Sequence, residues 1–528
     1  LKSGGLRYQA LWVAILLFGL VPALWGQSPT GLQEQGIRAF QARQFAEAER
    51  LFSELVRQEP TAAAYNYLAA AEGGAGNYRQ AIADFQKSIQ LGNDTPDLRY
   101  DLALAYVKDR QFAPGIRQLN IALGRQPNFT QARYALGVAL LMTNHPHEAL
   151  ANLQQVRSQL ANYPGMWVNL AQAQFSTGGT TKALETVDSA NQALPENLQL
   201  SIALATICMR YDQPQKAREL LENATEAAPR NNHLKLLLAE ASLKSEEPVE
   251  VLAVLKNVPE TAGAPGQVAF LRGNALMLGG KLQKAAPLLA SAITADPKNV
   301  EYLSTYAEFE TSQKKYACAL STLRKAQQVQ PRNPEFQYQT AVVNTLMHKY
   351  ADAETACKQA TRLDPKFDPA YFLLGAIELD RGSASVAEDA FRRAVAIRPA
   401  YPLYRSALGA ALFKVGQPAE SVKQLSRALL LDPHTTSAYY WRARVWAHQG
   451  DSEKAIQDLE TFVALDPDYP DAYQRLARLY TGEGQTAKAS AASAKYAAAK
   501  EKIPPEPVPF FLAQLGMARF RQLRNPTQ

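Results

Sequence analysis

Cysteine is nearly missing: Cys208, Cys318 and Cys357 are the three in 528 residues, too few and too scattered for a disulfide framework. The two at 208 and 357 read as buried free thiols, and a Cys318–Cys357 bridge would need both side chains on one seam. Catalytic signatures are missing too. No His-Glu-x-x-His pair, Gly-x-Ser-x-Gly elbow or glycine-rich dinucleotide fingerprint occurs, which leaves metalloprotease, serine-hydrolase and dinucleotide chemistry without their usual residues. The run Gly279-Gly280-Lys281-Leu282 lacks the upstream glycine and the hydroxyl residue of a phosphate loop. His145-Pro146-His147-Glu148 lacks a third well-placed metal ligand. No basic binding module stands out either, since the net charge of +7 is spread along the chain. Its late concentration at Arg392, Arg393, Arg398, Arg405, Lys414, Lys423, Arg427, Arg442 and Arg444 reads as a solvated surface, or a face for an anionic protein, before nucleic acid.

What is present is a count. Pro297, Pro331, Pro365, Pro399, Pro433 and Pro467 stand 34 residues apart, and the lattice extends back to Pro229, Pro195 and Pro127. A second lattice of small residues runs between them: Ala48, Ala81, Gly115, Ala149, Ala183, Ala217, then Val251 as the exception, Ala285, Ala319, Ala353, Ala387, Ser421, Ala455 and Ala489. Small residues at fixed intervals are what close helix approach requires. Within residues 368–401, Tyr371, Leu374 and Gly375, then Ala387, Phe391 and Ala394, mark one stripe on each of two helices. Gly382, Gly416, Gly450 and Gly484 share a site between the helices, where glycine takes a left-handed conformation cheaply. Pro146, Pro214, Pro248 and Pro418 follow two residues later, in a first helical turn that tolerates a missing N–H. Asp-Pro pairs beginning at 296, 364, 432 and 466 close the unit. Each repeat is therefore predicted to be a helical hairpin, in an array of one repeated unit.

The pattern resembles the tetratricopeptide repeat (TPR) family. Tyr371, Leu374, Gly375, Ala387, Phe391, Ala394 and Pro399 carry it in one repeat, and Tyr439, Ala443, Trp446, Ala455, Leu459 and Pro467 in another. The resemblance implies an all-α fold, a right-handed solenoid superhelix of about fourteen hairpins from Pro29 to Ile503, acting as a protein-binding scaffold without catalysis, cofactor or metal. It also implies a concave groove for a peptide or partner protein, lined by Tyr100, Tyr134, Leu141, Phe175, Met209, Phe270, Asn274, Met277, Tyr338 and Phe372. Toward the carboxyl end Tyr440, Arg444 and Arg478 replace aliphatic lining and mark a second zone. The peptide-carboxylate clamp found in some family members is not matched.

Four segments follow. Residues 1–26 show a charged start, an apolar run from Ala10 to Leu24 and small residues at Ala23 and Gly26, the layout of a secretory signal peptide, with an uncleaved inner-membrane anchor as the alternative. Residues 29–262 hold seven repeats and 263–503 seven more, separated by a Gly/Pro-rich joint at 258–267, with Pro287 expected to kink the next helix. Residues 504–528 read as a proline-rich linker and a capping helix over the last repeat's unpaired face. The function expected is an exported scaffold, periplasmic or extracellular, in cell-envelope assembly or secretion. Polysaccharide or pilus export is one alternative, and an enzyme or enzyme-associated subunit the other.

Overall fold

A computed structural model describes residues 31–501 together with Phe510 and Phe511. The expected leader, and the rest of the expected capping segment, lie outside the described residues. Among the described residues the fold is all α, an α-solenoid of helical hairpins with no strand. From Gly31–Gln41 with Phe45–Gln58 to Pro470–Gly482 with Thr486–Lys500, fourteen hairpins follow one another. The turn between the two helices of each hairpin keeps the lattice of the sequence. A left-handed residue stands there in every repeat: Arg43, Gly76, Arg110, Asn144, Gly178, Asp212, Glu246, Gly280, Lys314, His348, Gly382, Gly416, Gly450 and Gly484. The next residue's N–H reaches back five positions, as from Ser383 to the Glu378 carbonyl at 2.8 Å and from Lys315 to the Glu310 carbonyl at 2.8 Å. This is the bond that satisfies the last open carbonyls of a helix before the chain reverses. The geometry demands a left-handed residue even where the sequence supplies no glycine.

The small-residue lattice is the packing axis. Ala48, Ala81, Ala149, Ala183, Ala217, Val251, Ala285, Ala319, Ala353, Ala387, Ser421 and Ala455 are all fully buried, so the two helices of a hairpin meet where side chains are shortest. Gly375 shows how tight this is, because a Cβ placed on it would stand 2.7 Å from the ring of Phe391, itself fully buried. Pro287 falls inside the helix Leu282–Ala295, which continues through it.

Tertiary contacts divide the chain into two compact units, one ending at Ala241 and the other beginning at Ser242. In the first, the two helices of each complete hairpin pack together, and the first helices of successive hairpins also touch, as Pro164–Ser176 does with Leu198–Arg210. The second follows the same plan and contains the Gly/Pro segment 258–267, where Gly263 and Gly266 are left-handed. Arg272 ties that segment down, donating to the carbonyls of Leu255 at 2.6 Å and Val258 at 2.9 Å and pairing with Glu260. In the second unit one continuous core runs from Tyr338 to Phe511. No helix among the described residues is long and apolar enough to cross a membrane.

Candidate functional site

The first helix of each repeat carries a position that recurs at the 34-residue interval as Tyr100, Tyr134, Phe270, Tyr338, Phe372 and Tyr440. The structure brings each ring against an aromatic side chain further along. Tyr100 meets Phe129 at 5.2 Å between centroids, Tyr134 meets Tyr163 at 5.4 Å, and Tyr338 meets Phe367 at 5.7 Å. Phe270 stacks on Tyr302 at 4.6 Å and Phe372 on Tyr404 at 5.2 Å. Phe129 and Phe367 stand two residues after a lattice proline, where the chain enters the next hairpin. Ring against ring fills the notch between hairpins, and burying each aromatic side chain stabilises the fold by about 1.5–3 kcal/mol.

The expected open lining is corrected accordingly. Tyr100, Tyr134, Phe175, Phe270, Tyr338 and Phe372 are buried, none more than 6% exposed, and Phe175 is stacked on Tyr211 at 4.9 Å. They seal one hairpin to the next. Asn274 is buried as well. Leu141, Met209 and Met277 keep part of their surface. Polar side chains complete the seam: Asn169 Nδ2 donates to the Tyr134 hydroxyl at 2.7 Å, Gln339 Nε2 to Ser304 Oγ at 2.8 Å, and the Tyr404 hydroxyl to Asp368 Oδ2 at 2.7 Å.

The second expected zone is built differently. Tyr440 touches Tyr469 at 5.3 Å, Phe462 at 5.4 Å and Trp441 at 5.7 Å. Its hydroxyl donates to Asp471 Oδ2 at 2.5 Å. The Arg444 guanidinium lies 4.2 Å from the centre of the Trp441 ring, 5.6 Å from Tyr440 and 5.9 Å from Phe413. Such contacts hold a cation by the negative face of each ring. Arg475 also lies over the Tyr440 ring at 5.8 Å and pairs with Asp471. Burial presses the Arg444 pKa down, and the Lys414 ammonium is lowered by burial and then by Arg444 and Arg475. Arg478 is exposed instead. The sequence pattern marks Arg444 and Arg478 but neither Arg475 nor Trp441; the Asp471/Arg475 spacing of four, an ion pair on one helix face, is the signal that points to Arg475.

Into this zone come two rings from outside the repeats. Phe510 stacks on Tyr440 at 5.0 Å and meets Tyr469 edge-on at 5.4 Å. Phe511, 2% exposed, lies parallel to Trp441 at 6.4 Å, and reaches Phe391 at 6.1 Å and Phe372 at 6.3 Å. The pair rests on first-helix rings of the repeats beginning at 368 and 436.

The other candidates are structural. Among the described residues no group of three or more His, Cys, Asp or Glu side chains is placed to hold a metal. His145 sits in a hairpin turn with Nδ1 3.1 Å from Thr143 Oγ1, and Lys281 closes the turn at Gly279–Gly280. Cys318 is exposed while Cys208 and Cys357 are buried, and all three are free; burial pushes the Cys208 thiol up to about 12. Glu72 is buried, and desolvation followed by repulsion from Asp84 and Glu49 raises its pKa to about 8.

Two TPR family models match the sequence, one over residues 408–480 and the other over 34–96, 100–151 and 347–402. No curated protein matches. Similar solved structures include the APC/C hetero-tetramer Cut9–Hcn1, at 15% identity over 85% of this chain and 96% of that one with a TM-score of 0.43. MamA is 21% identical over 34% of this chain and 100% of its own, with a TM-score of 0.29. YrrB, described as a TPR protein with an unusual peptide-binding site, is 20% identical over 35% and 96% with a TM-score of 0.30. The repeat lattice, the hairpin turns and the family match coincide: this chain belongs to the tetratricopeptide-repeat family, whose stacked hairpins are protein-interaction scaffolds.

Proposed function

We propose that the protein is a noncatalytic scaffold that binds a peptide or partner protein by its helical repeats, within an exported assembly of the cell envelope or a secretion system. One observation carries the binding part. First-helix rings of the repeats beginning at 368 and 436 accept Phe510 and Phe511, side chains that belong to no repeat. A surface that holds two rings of a separate segment has the shape and chemistry to hold a ligand's. The charged, apolar and small-residue layout of 1–26 supports the export part. Binding here is an equilibrium in which no bond is made or broken.

Cross-linking of the purified full-length chain in envelope extract, followed by mass spectrometry, tests this reading. A saturable partner, recovered in fixed stoichiometry and lost when excess unlabelled chain competes, is the expected result. Failure to saturate any protein, together with turnover of a small substrate by the purified chain, overturns it.

A further inference from the structure

Most seam rings in the repeats are covered by the next hairpin. Tyr440 and Trp441 are covered in part by a remote segment instead, and their neighbourhood is positive. Arg444 faces three rings and forms no ion pair among the described residues, and neither does Lys414. Arg475 is offset by the single carboxylate of Asp471, which also accepts from Tyr440. Two rings with a cationic edge make a site for aromatic side chains accompanied by negative charge.

Resting on the scaffold reading above, we propose that the Tyr440–Trp441–Arg444 site recognises an acidic protein segment bearing two adjacent aromatic side chains, and that Phe510 and Phe511 occupy it as an intramolecular competitor. The two phenylalanines show what fits: one ring flat on Tyr440, the next parallel to Trp441. Being tethered, they act at an effective concentration on the order of millimolar. A free partner must therefore bind well enough to displace them, which keeps the site closed to weak and nonspecific aromatic segments. The partner's carboxylate is the feature the tail need not share, because Arg444 is left for it.

The test uses the full-length chain and a fluorescent synthetic peptide of residues 505–515, Pro-Glu-Pro-Val-Pro-Phe-Phe-Leu-Ala-Gln-Leu. Fluorescence polarisation should show little binding to the wild type. Binding to the double variant Phe510→Ala/Phe511→Ala should be at least about tenfold tighter, and should fall back by about tenfold when Trp441→Ala is added. A peptide with two further glutamates beside the aromatic pair should bind more tightly still, and should lose that gain in Arg444→Ala. Equal binding to wild type and double variant, or none to a folded double variant, overturns the proposal. If the double variant does not fold, a protease site placed within residues 502–508 replaces it. After cutting, release of the carboxyl fragment with the helical circular dichroism intact supports displacement; a fragment that stays until the array melts makes the two rings core and sinks the idea. A wild type that sediments as a dimer while the double variant is monomeric assigns the rings to a second copy and overturns the intramolecular form. Partner capture that survives any of these failures leaves the scaffold reading standing with its binding surface elsewhere.

Discussion

The Tyr404 hydroxyl donates to Oδ2 of Asp368, one hairpin earlier, at 2.7 Å, and the Arg398 guanidinium reaches the same oxygen at 3.1 Å. Burial raises the Asp368 pKa, and the tyrosine and the arginine pull it back down. Tyr404→Phe removes one of these two supports and should cost about 1–2 kcal/mol at neutral pH. The sign with pH is fixed. A carboxyl whose folded pKa lies above its unfolded one favours the folded state when protonated, so the penalty should shrink as the pH drops toward 4. Chemical denaturation of the variant and the wild type at pH 7 and pH 4.5 measures both; an equal loss at the two pH values counts against the assignment.

Lys314 holds a left-handed backbone with φ of 57°, in a turn where seven other repeats place glycine. A side chain there costs about 1 kcal/mol. Lys314→Gly should raise stability by about 0.5–1 kcal/mol, net of the extra freedom glycine gives the unfolded chain. The reverse change, Gly382→Lys, should lower it by a similar amount. Thermal melts that move the other way for both would remove the turn from the list of fold determinants.

Burial first, and then Asp84 and Glu49, raise the Glu72 pKa to about 8, which favours the protonated carboxyl at neutral pH. Because the unfolded chain releases that proton near its ordinary value, stability contributed by this group is full in acid and is lost as the pH climbs toward 8. Glu72→Gln should flatten the decline between pH 5 and 8 and leave the protein more stable than wild type at the alkaline end. Melting temperatures read across that range decide it, and an unchanged profile would place the proton elsewhere.

Phe270 is stacked on Tyr302 and 4% exposed, whereas Met277 on the same helix retains accessible surface. Phe270→Ser should therefore cost about 3–5 kcal/mol by emptying the seam, and Met277→Ser much less. Two side chains lining an open groove would both spare the melting temperature, so calorimetry of the two single variants separates a groove from a seam.

Helical hairpins, their number and their turns were legible because local rules repeat: the prolines, the small residues at Ala48 through Ala489 and the four late glycines recur at one interval. Each site acts within its own repeat, so the chain need not be folded for it to be read. The candidate site was legible only in part. Tyr440 and Arg444 stood out as departures from an aliphatic lining, but helical spacing cannot tell a ring facing a groove from one facing the next hairpin, and Tyr134 and Phe270 proved to be the latter.

What the sequence by itself determined is thus the repeated unit, since proline geometry, left-handed turns and small-residue contacts operate over a few residues. What only the tertiary structure decided is where the rings go. Arg475 rather than Arg478 covers Tyr440, and Phe511 lies on Trp441. Contacts between segments remote in sequence carry no period that a one-dimensional reading can detect; they arise when an unpaired apolar ring finds, anywhere along the folded chain, another with which to leave water.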